Sequence, residues 1–198
     1  MTREGAAEER VVPLFNIANV LTMSRLALVP VFLVALFWDD GHDVLWRWIA
    51  TGVFAVASIT DRIDGDLARR RGLVTDFGKV ADPIADKALT GSALVALSLL
   101  GDLHWWVTLV IIGRELGVTA LRFWVIRHGV IPASRGGKLK TLLQALAIGL
   151  YLLPLGDWAD PARWIVMGAA VLATVITGID YVVRALRLRA VGRRARHA

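Results

Sequence analysis

Four carboxylates, on Asp61, Asp64, Asp82 and Asp86, fall within one short stretch of a chain that is otherwise largely apolar. Ionisable groups at the edge of a membrane span are costly to place there and are kept mainly for function. Their spacing indicates which function. Asp61, Asp64, Gly65 and Ala68 follow i, i+3, i+4, i+7 and share one helix face; Gly78, Asp82 and Asp86 follow i, i+4, i+8 and share another. Two such helices facing each other would gather four acidic side chains around a cavity. A cluster of that kind repels itself at neutral pH unless cations neutralise it or some carboxylates stay protonated. The pattern therefore predicts a divalent-metal site. Gly65 and Gly78 on the acidic faces each cost about 1 kcal/mol relative to Ala in a helix interior, which points to close approach by a ligand or another backbone.

Structural roles compete for each aspartate taken singly. Asp82-Pro83 reads as an N-cap followed by proline at the first helical position, and Asp61 and Asp64 could pair with Arg62 and Arg69 at the interface. Asp66 falls off the acidic face and reads as a solvated partner of Arg62 or Arg70. All four carboxylates together, with two glycines at these spacings, favour the metal reading, because clustered like charges need a purpose.

The elements that must position these groups follow from composition. The 198 residues are 56% hydrophobic, and the mean hydropathy of +0.58 is far above that of an ordinary soluble domain. Apolar segments and turn signals predict an all-α membrane protein of six transmembrane helices, each able to cross a core of roughly 30 Å. The spans run from Ile17 to Trp38, Trp46 to Arg71, Gly78 to Leu100, Trp105 to Arg127, Gly137 to Leu155 and Ala162 to Leu186. Residues 1–16 form a polar and short interfacial N-terminal segment, 17–186 the six-helix domain, and 187–198 a basic cytoplasmic tail. Met1 to Arg10 carries no signal-peptide pattern. Most of the eight tryptophans lie near span ends, as an interfacial aromatic belt requires. From Trp48 to Thr60 the second span has only about 20 Å of uninterrupted apolar helix, and about 36 Å when extended to Arg71. The carboxylates therefore belong at a membrane interface, where a water-soluble reactant and a lipid can meet.

Basic residues orient the chain. Arg69, Arg70, Arg71 and Lys79 join spans two and three; Arg127, Arg135, Lys138 and Lys140 join spans four and five; six arginines from Arg184 to Arg196 follow span six. The opposite loops hold Arg47 and Arg163 among Asp39, Asp40, Asp43, Asp102, Asp157 and Asp160. The positive-inside rule then places both termini and the acidic cluster on the cytoplasmic side of a multi-pass cell-membrane protein. The arginine-rich end reads as a topology signal or an anionic-lipid contact rather than a nucleic-acid site. With no cysteine, disulfides and thiolate-bound metals are excluded. The four histidines are scattered and form no ligand cluster.

The run Asp61-x-x-Asp64-Gly65-x-x-Ala68-Arg69, eight residues, Gly78-x-x-x-Asp82-x-x-x-Asp86 resembles, at every fixed position, the signature of the CDP-alcohol phosphotransferases. That resemblance implies six transmembrane helices, a homodimer, and two Mg²⁺ or Mn²⁺ ions used to displace CMP from a CDP-linked donor with an alcohol. It implies that Asp61, Asp64 and Asp82 hold the metal pair, with Asp86 as a ligand and the general base. Gly65, Ala68 and Gly78 would let the cytidine diphosphate lie against the helices, and Arg69 would contact its phosphates. Two cations about 3.5–4 Å apart suit such a displacement, with a carboxylate roughly 2.6–3.2 Å from the attacking hydroxyl.

Within the family the chain is most similar to members that transfer phosphatidyl from CDP-diacylglycerol to sn-glycerol 3-phosphate. Asn16-Ile17-Ala18-Asn19, Thr22-x-x-Arg25, Ala57-Ser58-Ile59-Thr60, Arg114-Glu115-Leu116 and Gly137-Lys138-x-Lys140-Thr141 carry this likeness. Ala18 departs from the proline common in relatives. An acceptor with nearly two negative charges needs several cations, for which Arg114, Arg122, Arg135, Lys138 and Lys140 are the candidates. Arg114 and Arg122, inside an apolar helix, should not face lipid; Glu115 and Arg122 share a face and could pair. Two alternatives remain at this stage. Phosphatidylglycerol, giving cardiolipin, or inositol phosphate would keep the chemistry with another acceptor. A divalent-cation transporter would be a different class, but it would carry carboxylates near the bilayer midplane on several helices.

Overall fold

A computed structural model describes residues 17–71, 76–125 and 135–194; within these segments the side chains of 17–19, 21, 61–71, 76–83, Asp86, Arg122, Phe123, Val125, Arg135, Leu188 and 190–194 lie outside the described residues. So does the expected N-terminal interfacial segment. Six α-helices and no strand occur among the described residues: α1 Ile17–Phe37, α2 Val44–Arg71, α3 Asp76–Leu99, α4 Trp105–Val125, α5 Arg135–Leu152 and α6 Asp160–Arg194.

Helix boundaries follow local chemistry. After α1, a 3₁₀ turn over Trp38–Gly41 reverses the chain, with Asp39, Asp40 and Gly41 all at positive φ (52°, 50° and 76°). Aspartate tolerates this left-handed region better than most side chains, and glycine occupies it freely. Gly41 is also required for space, since a Cβ there would lie 2.8 Å from a Leu100 methyl. Asp43 then accepts the Trp46 amide at 2.9 Å and starts α2. Past the end of α5, Arg163 gathers backbone carbonyls that the helix leaves behind: its guanidinium donates to the oxygens of Leu150, Leu153 and Leu155 at 3.1, 2.9 and 3.0 Å, and to Asp160 at 2.8 Å. α6 continues through Arg194, well beyond the expected end near Leu186. The Arg-Ala-Leu composition there favours helix, and nothing interrupts it before Gly192.

In the bundle α1 packs against both α2 and α3, while α6 packs against α4 and α5. Phe32, Leu36, Phe54, Leu94, Leu97, Ile111, Ile148, Leu152 and Met167 fill the core. Polar residues inside it are paired across helices: Ser98 with Thr108 at 2.7 Å, and Gln144 Nε2 to Thr174 Oγ1 at 2.9 Å. The opposite side of most helices is apolar and exposed, including Val31 and Val34 of α1, Leu109 and Leu116 of α4, and Ile165, Leu172, Ile176 and Ile179 of α6. Inward polar groups with an outward apolar surface are the arrangement of a protein solvated by lipid.

Two helical segments, Thr22–Gly41 and Asp157–Arg187, are long and apolar enough to cross a membrane by themselves. The other expected spans carry ionisable groups that lower their hydropathy, and in α4 Arg114 turns inward, its side chain only 13% exposed. One end of the bundle collects Trp38, stacked on Trp46 at 4.5 Å, and His104 against Trp164 at 5.2 Å. An ion pair from Arg47 to Asp102 lies at the same end. Trp48, Trp105, Trp106 and Trp158 are exposed there too, giving the aromatic rim expected of an interface. At the other end, the Arg189 guanidinium lies 4.2 Å from the Trp124 ring centroid and ties the basic part of α6 to α4.

Candidate active site

Asp61, Asp64, Gly65, Ala68 and Arg69 lie in the final turns of α2, and Gly78, Asp82 and Asp86 in the first half of α3. Both segments are unbroken helix, so the spacing that puts each set on one stripe is preserved. α3 starts at Asp76, which makes Asp82 an interior residue rather than the N-cap its Pro83 neighbour could have implied. The side chains of this set lie outside the described residues, as do the expected pairings of Asp61 and Asp64 with Arg62 and Arg69. Among the described residues no three His, Asp or Glu come together as a metal site.

Beside the acidic stretch a cavity of about 110 Å³ opens between five helices. A water molecule takes roughly 30 Å³ in the liquid, so the space is large enough for a small polar group. Its charged walls are Arg25 from α1, Lys87 from α3, Glu115 from α4 and Lys140 from α5, with Ser58, Thr90, Thr141 and Gln144 adding polar groups. Among the described residues, three cations and one carboxylate line it, a net charge of +2. Lys87 directly follows Asp86 on α3, so the acidic stripe and the lysine that lines the cavity lie on adjoining stripes of one helix.

Glu115 organises one wall. Its Oε1 receives the Lys140 ammonium from α5 and the Arg114 guanidinium at 3.0 Å. Arg114 in turn donates to Thr177 Oγ1 on α6 at 2.9 Å. Close approach of α4 and α6 at this point depends on Gly178, where a Cβ would stand 3.1 Å from Arg114 Cγ. From α3, Lys87 donates to the Thr119 hydroxyl, which donates to the Glu115 carbonyl at 2.8 Å. Four helices are thus tied together through polar groups at the level of the cavity.

Of the cations expected to take an acceptor phosphate, Lys140 lines the cavity and is buried. Arg114 is turned toward Glu115 and α6, and Lys138 is exposed on the far side of α5; neither is among the lining side chains. Arg114 keeps out of lipid as expected, yet its hydrogen bonds make it a brace between helices. Side chains of Arg122 and Arg135 lie outside the described residues, so the expected Glu115–Arg122 pair does too. Arg25 and Lys87 belong to the cavity and were not among the expected phosphate ligands. A signal for Lys87 was present: Lys87, Thr90, Gly91 and Leu94 follow i, i+3, i+4, i+7, and all four line the cavity.

The described residues thus show a small pocket lined by three cations and one carboxylate, on helices that also carry the acidic motif. Residues 15–176 match the family model described as CDP-alcohol phosphatidyltransferase. The chain is 62% identical over 172 residues to a "Probable phosphatidylglycerophosphate synthase" of Mycobacterium tuberculosis, covering 87% of this chain and 82% of that one. It is 36% identical to proteins named CDP-diacylglycerol–glycerol-3-phosphate 3-phosphatidyltransferase from Bacillus subtilis (85% and 94% covered) and Rickettsia felis (84% and 93% covered). With the motif, the helical fold and these relatives in agreement, the chain belongs to the CDP-alcohol phosphatidyltransferase family and is a phosphatidyltransferase.

Proposed function

We propose that this enzyme transfers the phosphatidyl group from CDP-diacylglycerol to sn-glycerol 3-phosphate, giving phosphatidylglycerophosphate and CMP. The observation that carries the choice of acceptor is the cavity of Arg25, Lys87, Lys140 and Glu115 beside Asp86. The net charge of +2 carried by its described residues complements a phosphate monoester dianion. A phosphodiester lipid such as phosphatidylglycerol carries one charge and two acyl chains, a poor match for three cations around about 110 Å³ of space. Confinement of the acidic motif to two helices argues against a transporter, whose carboxylates would be spread over several helices. The relatives' names point to the same donor and acceptor.

In this reading the primary hydroxyl oxygen of the acceptor attacks the phosphorus that bears diacylglycerol. A new P–O bond forms, the bond from that phosphorus to CMP breaks, and its electron pair leaves with CMP. The hydroxyl proton passes to Asp86, the carboxylate nearest Lys87 in the chain. Arg25, Lys87 and Lys140 hold the acceptor phosphate and so fix the hydroxyl relative to the donor. Gly65, Ala68 and Gly78 leave room for the nucleotide, with Arg69 on its phosphates. The donor set of Asp61, Asp64, Asp82 and Asp86, all hard oxygen ligands on uninterrupted helix, fits two Mg²⁺ or Mn²⁺ ions. When bound, such a pair supplies neutralisation of the pyrophosphate and of the departing oxygen.

All six helices cross the membrane in this reading, with both termini and the site at the cytoplasmic face. The aromatic rim marks the outer interface, and the Arg189–Trp124 contact and the arginines of α6 mark the inner one. Exposed apolar faces on α1, α4 and α6 are available to lipid and to a second copy of the chain in a homodimer. The test is CMP release from CDP-diacylglycerol by purified protein with glycerol 3-phosphate, inositol phosphate or phosphatidylglycerol as sole acceptor. Turnover with glycerol 3-phosphate is expected; turnover with phosphatidylglycerol alone would overturn the assignment.

A further inference from the structure

Glu115 is the one carboxylate among the described residues lining the cavity, placed where an anionic acceptor must bind. An acid in that position repels a phosphate unless its charge is already taken up. Here it is: Oε1 receives both Lys140 and the Arg114 guanidinium, and Arg114 is anchored on Thr177. With two cations on one carboxylate, little negative potential remains to oppose an incoming dianion. What Glu115 supplies instead is order. Lys140 carries its ammonium on a flexible four-carbon stem, and a lysine without a fixed partner samples many rotamers. By reaching from α4 to α5, the carboxylate holds that ammonium at the cavity wall before the acceptor arrives.

We infer that Glu115 is a positioning residue for acceptor recognition, acting through Lys140 and leaving the phosphatidyl donor unaffected. The inference rests on the reading of the cavity as the acceptor site. Binding would then exchange one partner of Lys140 for another, with the lysine already placed and most of its ordering complete. Arg114 and Thr177 set the carboxylate itself, so the acceptor pocket is held in register with α6, which contributes no lining side chain.

A double-mutant cycle on the detergent-solubilised full chain tests this, with CMP release read against each substrate in turn. Glu115→Gln should raise the acceptor KM about tenfold, equivalent to about 1.4 kcal/mol. Its kcat and CDP-diacylglycerol KM should stay within about twofold, a split that a general loss of folding would not produce. Glu115→Asp, which keeps the charge but retracts it by one methylene, should raise acceptor KM in the same direction by roughly threefold, and it serves if the glutamine variant fails to accumulate. In a Lys140→Met background, Glu115→Gln should add nothing further. An acceptor KM that falls or does not move, or effects that multiply in the double variant, would overturn the inference while leaving the cavity assignment standing. If Lys140→Met itself leaves acceptor KM unchanged, the cavity is not the acceptor site and both fail together.

Discussion

Lys87 offers the sharpest perturbation of the acceptor pocket. It is half-buried, lines the cavity, and in the free protein donates to the neutral hydroxyl of Thr119. A phosphate oxygen is a stronger acceptor than a hydroxyl, so the ammonium gains on binding. Replacing it by methionine keeps the volume and apolar stem, and Thr119 retains its 2.8 Å bond to the Glu115 carbonyl. The cost to folding should therefore stay below about 1.5 kcal/mol. Loss of one charge-assisted hydrogen bond to the acceptor should cost roughly 1.5–3 kcal/mol. That corresponds to a fall of about 10- to 150-fold in kcat/KM for glycerol 3-phosphate. CMP release measured across a glycerol 3-phosphate titration, at saturating CDP-diacylglycerol in mixed micelles, reads the effect. Donor KM should not change. An unaltered acceptor kcat/KM, or an equal loss against both substrates, would refute a role for Lys87 in holding the acceptor.

Asp86→Asn should lower kcat by about 10²–10⁴-fold, as loss of a general base does, while CDP-diacylglycerol is still bound; equilibrium binding and turnover assays on the same preparation separate the two. Chelation with EDTA should abolish CMP release, and Mg²⁺ or Mn²⁺ should restore it; full activity after exhaustive chelation would contradict the metal-site reading. Arg163→Ala removes donors from three backbone carbonyls at the end of α5 and should cost roughly 2–4 kcal/mol. The change should appear as faster thermal inactivation in detergent, with unchanged specific activity of the surviving enzyme.

The acidic motif was legible from sequence because its spacing is the helix repeat itself, and α2 and α3 run through it without interruption. Helix ends were legible where chemistry marks them, as at Asp39-Asp40-Gly41 after α1, whereas α5 stops at Leu152, short of the expected Leu155 and ahead of Pro154. The end of α6 was not, since arginines after Leu186 read equally as a solvated tail or as good helix formers. The single-sequence view also could not say which cations share a pocket. Arg114 and Lys140 look alike as basic residues in apolar helices, yet one braces α4 to α6 and the other lines the cavity. That difference is fixed by how helices distant in sequence pack, here α4 against α6 at Gly178. Lys87 was the avoidable omission, because its stripe on α3 has the same periodicity that revealed the aspartates.

Incorporation of radiolabelled sn-glycerol 3-phosphate into chloroform-extractable lipid by the purified protein is the most direct test. One labelled lipid should appear for each CMP released, only when both CDP-diacylglycerol and a divalent cation are present. CMP released without label entering the lipid phase would contradict phosphatidyl transfer to this acceptor.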